Sequence, residues 1–110
     1  MDVDLRQVGN TLVVRMGGEL DMLLSDYLRE EIDTRLEQSG VRNLILNLEK
    51  VSFIDSSGLG LIIGRYKKLK ALGGKIFIVG AHPPVDKILH FSGVNKLVPM
   101  YNSEQDIINI

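Results

Sequence analysis

The chain has 110 residues, 45% hydrophobic and 25% charged, the profile of one folded domain rather than of a disordered tail. A formal net charge of -1 argues against non-specific nucleic-acid binding, and the absence of cysteine excludes disulfides and thiolate metal sites. No apolar run approaches the ~20 residues that span a bilayer, and the acidic start Met1-Asp2-Val3-Asp4 lacks the basic and apolar regions of a signal peptide, so a single cytoplasmic domain over residues 1–110 is expected, away from membrane and nucleic acid.

The first two strands are predicted at 3–8 and 11–16, joined by Gly9-Asn10, a two-residue hairpin signal. Leu12-Val13-Val14 is continuous enough for burial on both faces, and Gly17-Gly18 is expected to end the second strand. A helix follows at about 24–38, because Leu24, Leu28, Ile32 and Leu36 recur every four residues as one apolar stripe. Asp21 or Ser25 is its candidate cap, Ser39-Gly40 its stop, and Glu31 with Arg35 an i,i+4 pair on its wet side. The third strand is predicted at 43–48.

A second helix is predicted at 59–72, with Leu59, Ile62, Ile63, Tyr66 and Leu69 facing inward and Gly73-Gly74 as its stop. Strand four is 75–79. Pro83-Pro84 opens a short helix at about 85–91, which Ser92-Gly93 ends. Leu97-Val98 reads as an edge strand blunted by Pro99, and Ser103-Glu104-Gln105-Asp106 as a capping box that starts a terminal helix. A hairpin followed by strand–helix alternation implies an α/β fold: a mixed sheet of four or five strands with helices mainly on one face.

The stretch Phe53-Ile54-Asp55-Ser56-Ser57-Gly58-Leu59-Gly60 sets two hydroxyls and a carboxylate at the mouth of the second helix. Unpaired backbone N–H groups there favour a bound or attached anion, so Ser56 reads either as a plain cap or as a serine that can carry phosphate. Rival chemistries are weakly supported. Ser56 and Ser57 lack the Gly-x-Ser-x-Gly elbow, and the two histidines, His82 and His90, have no sequence relation to either serine. The glycines from Gly58 to Gly64 miss the dinucleotide-loop spacing by one residue, and no phosphate-loop lysine motif is present. Asp2, Asp4, Glu19, Asp21 and Asp26 have no calcium-loop spacing. A receiver-type phosphoacceptor role for Asp55 is opposed by the opening hairpin and by the missing acidic pair after the first strand. Gly60 and Gly64 lie four apart on one helix face, which suits either close packing on the sheet or a flat docking site. The cluster Arg65, Lys67, Lys68 and Lys70 suits a helix C-terminus.

Asp55-Ser56-Ser57-Gly58-Leu59-Gly60, after the segment Leu46-Asn47-Leu48-Glu49-Lys50-Val51-Ser52-Phe53-Ile54, resembles the signature of the STAS family (sulfate transporter and anti-sigma factor antagonist domains). The resemblance extends to Gly18-Glu19-Leu20-Asp21, Gly64-Arg65-Tyr66-Lys67, Gly73-Gly74 and Phe91-Ser92-Gly93, and within the family it is strongest to the anti-sigma F factor antagonists of spore-forming bacteria. It implies a cytoplasmic regulator of transcription and sporulation with no catalysis or cofactor of its own. The unphosphorylated form would bind an anti-sigma factor that is also a serine kinase, freeing the sigma factor. That kinase binds the ATP and would phosphorylate Ser56 to end the complex, and a phosphoserine phosphatase would reset it. The implied partner surface is the 56–64 helix face with the loop at Asp21: Asp21, Asp55, Ser57, Gly58, Gly60, Leu61 and Gly64. The alternative is a STAS scaffold module of another signalling complex, without a phosphoserine switch. One departure from the family pattern is Met22-Leu23-Leu24 where the antagonists carry polar residues; Met22 and Leu23 are assigned to the core, with a partner contact as the alternative.

Overall fold

The computed structural model describes residues 2–107. Strands β1 (Val3–Val8) and β2 (Thr11–Leu20) form the antiparallel hairpin, with Gly9 supplying the left-handed φ of +60° that the turn requires. Helix α1 (Met22–Gln38), strand β3 (Asn43–Ile54), helix α2 (Ser56–Ala71) and strand β4 (Lys75–Val79) follow. The short helices α3 (Val85–Ser92) and α4 (Val94–Leu97), strand β5 (Met100–Tyr101) and a 3-10 turn (Glu104–Ile107) complete the described chain. The five strands lie in the order β1-β2-β3-β4-β5, antiparallel only at β1–β2, so the expected mixed sheet and opening hairpin are present.

The helices cover one face. The α1 stripe Leu24, Leu28, Ile32 and Leu36 is buried there with Leu12, Val14 and Leu46. The other face carries a smaller cluster of Ile45, Phe77 and Val79, with Val13 half-buried beside it and Ile107 as its lid. Arg15 clamps that lid by two hydrogen bonds to Glu104, at 2.9 and 2.7 Å, and Asn47 adds a third at 2.7 Å. Both faces at Leu12–Val14 are therefore covered, the second only in part.

Four boundaries differ from expectation for a tertiary reason. β2 does not stop at Gly17-Gly18. Its register against β3 shifts there, Gly18 takes φ +83°, and the bulge lets the strand continue to Leu20. β3 continues past Leu48 because its second half pairs with that extension, Ile54 opposite Leu20. α2 begins at Ser56 and buries Gly58, Leu61, Ile62, Arg65 and Leu69, while Leu59, Ile63 and Tyr66 flank the core. Leu97 closes α4 instead of starting an edge strand. Gly93, at φ +83°, ends α3 and α4 follows it directly, so the chain extends only after Pro99, whose carbonyl accepts from the Ile78 N–H at 3.0 Å. In the 3-10 turn, Asp106 accepts from the Ser103 N–H at 3.2 Å, half of the expected capping box; a longer terminal helix would lie outside the described residues.

Candidate functional site

Two parallel strands end side by side, and each hands over to a helix through an aspartate. Leu20 of β2 is in register with Ile54 of β3, so Asp21 and Asp55 are structural counterparts. The Asp21 carboxylate accepts from the Leu24 N–H at 3.0 Å. The Asp55 carboxylate accepts from the N–H groups of Ser57 and Gly58 at 2.8 and 3.1 Å. These bonds satisfy donors that a helix start leaves unpaired, and the negative charge suits the positive helix end. A further tie runs from the Asp55 N–H to the Leu20 carbonyl at 3.3 Å.

The cap of α2 is thus Asp55, not Ser56. Ser56 is the first helical residue, exposed, with its hydroxyl outside the capping bonds. Ser57 is half-buried and Gly58 fully enclosed. A Cβ on Gly58 would meet Ile54 Cγ1 at 2.6 Å and the Leu20 carbonyl oxygen at 2.7 Å, so only glycine lets α2 sit this close to the ends of β2 and β3. Gly60 and Gly64 differ from it. A Cβ at either would have no described atom within 4 Å, so close packing within this domain does not account for them. With Ser56 they recur every fourth residue and leave a flat outer strip along two turns of α2.

Asp21, Asp55, Ser56, Ser57, Gly58 and Gly60 therefore gather at one end of the molecule, with Gly64 one turn further along α2. Leu61 does not join the surface. Its side chain is 0% exposed, because it turns inward among the core residues of α2, and its expected place in a partner contact is corrected accordingly. Met22 and Leu23 are corrected in the opposite sense: they are 64% and 72% exposed, not core. With Asp21 as cap they are the first two helical residues of α1, off the stripe that starts at Leu24. The signal was present in the sequence, since choosing Asp21 over Ser25 as the cap moves both residues off that stripe.

The basic cluster of α2 is divided. Arg65 is 7% exposed and lies 3.3 Å from Asp33 of α1, which Lys68 also reaches at 3.0 Å. Burial, the dominant effect, pulls the Arg65 guanidinium below its usual pKa, and Asp33 opposes that pull. These pairs hold α1 and α2 side by side; they do not form a basic surface. The histidines also have local partners, His90 Nδ1 lying 2.7 Å from the Asp86 carbonyl and His82 Nε2 beside that of Glu49.

Comparison with known proteins agrees with this fold. The STAS domain model matches residues 2–107. An anti-sigma F factor antagonist of Paenibacillus polymyxa is 36% identical over 104 residues, 94% of this chain and 89% of that protein. One of Lysinibacillus sphaericus is 37% identical over 97 residues, 88% of this chain and 83% of that protein. Among solved structures, the anti-sigma factor antagonist SpoIIAA in its unphosphorylated form superposes with a TM-score of 0.88 at 35% identity, covering 97% of this chain and 93% of that one. The phosphorylated form of the Bacillus cell fate determinant SpoIIAA gives 0.80 at 34% identity, covering 97% and 96%.

Proposed function

This chain belongs to the STAS domain family, and we propose that within it the protein is an anti-sigma factor antagonist switched off by phosphorylation at Ser56. The role is regulatory rather than catalytic. The unphosphorylated protein docks on an anti-sigma factor through the start of α2 and the adjoining start of α1, and the sigma factor is released. The anti-sigma factor is itself the serine kinase and holds the ATP. It phosphorylates Ser56 and lets go, and a phosphoserine phosphatase returns the protein to the binding form. No described helix is long and apolar enough to cross a membrane, and the whole cycle is assigned to the cytoplasm.

The observation that carries this reading is the position of Ser56: exposed, outside the capping bonds, and first on the strip that Gly60 and Gly64 continue. Because Asp55 caps the helix, modifying Ser56 removes no structural hydrogen bond. The helix end tolerates the new charge of about -1.5 to -2, so the fold survives the switch. The partner does not tolerate it. A serine that receives phosphate must lie against the nucleotide's terminal phosphate, and after transfer a phosphoserine faces the remaining diphosphate. Like charges at a desolvated contact, with added bulk on a flat surface, oppose docking; a loss of ~3 kcal/mol lowers affinity about a hundredfold.

The test is incubation with ATP and the anti-sigma factor of the same genome, read by intact mass and fragment mapping. One phosphate on Ser56 is expected. Ser56→Ala should bind and resist modification, and Ser56→Asp should fold and fail to bind. A folded Ser56→Asp protein that binds as tightly as wild type would remove the switch.

A further inference from the structure

The exposed pair Met22 and Leu23 stands in the register position of Ser56 and Ser57. Leu20 opposes Ile54, an aspartate caps each helix, and the first two helical residues are Met22-Leu23 on α1 and Ser56-Ser57 on α2. The Asp33 pairs with Arg65 and Lys68 hold the two helices alongside each other, and packed helices lie about 8–10 Å apart. The apolar pair therefore lies at the same end of the molecule as the switch serine, at the start of the neighbouring helix. Tyr27, four residues after Leu23 and 38% exposed, extends it along α1.

The surroundings describe what covers it. Glu19, three residues before the pair, and Asp26 and Glu30, about one and two turns after it on α1, are exposed, and Asp21 caps the helix at its base. Among these, Asp26 has a cationic neighbour, Arg29 at 2.8 Å. An apolar centre with an acidic rim matches an apolar depression edged by lysine or arginine.

Resting on the function proposed above, we infer that Met22 and Leu23 are specificity-determining contacts that seat in such a basic-rimmed apolar depression on the anti-sigma factor. Ser56 would then be the variable element of the contact and Met22-Leu23 the constant one. The apolar pair sets which anti-sigma factor is held and for how long, while the phosphate decides whether it is held at all. Interface energy concentrates in such desolvated apolar anchors, and rim charges act mainly on encounter.

The test measures affinity and dissociation rate of the full chain for the anti-sigma factor of the same genome. Met22→Gln with Leu23→Gln should leave melting unchanged, since both positions are exposed and glutamine suits a helix. Binding should weaken by at least about tenfold, chiefly through faster dissociation. Leu23→Lys should bind worse than Leu23→Glu, because the facing rim is basic. Phe91→Gln, at an exposed position near the end of α3, should bind as wild type. If the glutamine double variant binds as wild type while Ser56→Asp does not, the inference fails and the switch stands. If lysine and glutamate at position 23 bind equally, the basic rim is wrong. If the wild-type chain itself does not bind, both proposals fall together.

Discussion

Three glycines in one helix should respond to alanine with opposite signs. A methyl at Gly58 would lie 2.6 Å from Ile54 Cγ1, 2.7 Å from the Leu20 carbonyl oxygen and 2.9 Å from Leu20 Cγ. The Leu20 carbonyl is backbone, anchored by the Asp55 N–H, and yields poorly. Overpacking of this kind costs ~1–3 kcal/mol, and alanine's better helix propensity returns at most ~1 kcal/mol, so Gly58→Ala should lose up to about 2 kcal/mol. Gly60→Ala and Gly64→Ala meet no described atom within 4 Å and should each gain ~0.5–1 kcal/mol. In a domain of this size 1 kcal/mol moves the melting midpoint by about 4 °C. Urea titration with linear extrapolation measures all three variants on one scale. The same two stabilising methyls stand on the strip beside Ser56, so they should weaken docking of the anti-sigma factor while the fold gains. A stabilised Gly58→Ala, or a destabilised Gly60→Ala, would refute the packing assigned to α2.

Two further perturbations probe the clamps of the fold. Asp33→Ala leaves the buried Arg65 guanidinium unpaired and should cost about 3 kcal/mol, whereas Arg65→Met, which removes the charge and keeps the packing, should be near neutral; urea midpoints separate them. Glu104 is held at about 2, against an ordinary 4.5, foremost by its hydrogen bonds from Arg15. A depressed carboxylate stabilises above its unfolded value and loses that contribution as pH falls from about 4.5 towards about 2. Solvent screening of this partly exposed pair limits the contribution to about 1 kcal/mol. Glu104→Gln should therefore flatten the wild-type fall in stability across that window, and parallel slopes for the two proteins would exclude the clamp.

Legibility in the sequence followed the range of the interactions involved. The four-residue stripe of α1, the Glu31–Arg35 pair, at 2.7 Å, and the apolar run of β4 are local patterns, and they lie where periodicity puts them. The overrun of β2 and β3 rests on a bulge that realigns two strands distant in sequence, and neither segment alternates cleanly enough to announce it. The start of α2 was obscured because Gly58 and Gly60 weaken a helix locally; contact with Leu20 and the Asp55 cap outweighs that weakness. The place of Ser56 at the mouth of α2 was readable from its motif. That Met22 is the counterpart of Ser56 was not, because it rests on the long-range register of Leu20 with Ile54.

That register has a dynamic consequence. From Asn43 to Asn47, β3 is paired on both sides, but from Lys50 to Ile54 its only strand partner among the described residues is β2. The end of the sheet that carries Ser56 is thus a two-stranded arm, and releasing it breaks one ladder instead of two. With one ladder fewer to break, amide exchange is expected to quicken along β3 from Asn47 towards Ile54, and uniform protection along the strand would count against it. A covalent change at Ser56 can shift the population of that local opening while the rest of the domain keeps its stability. The sheet therefore thins towards its functional end, and Leu20, Val51 and Ile54 tie that end to the rest of the domain through the core rather than through a second ladder.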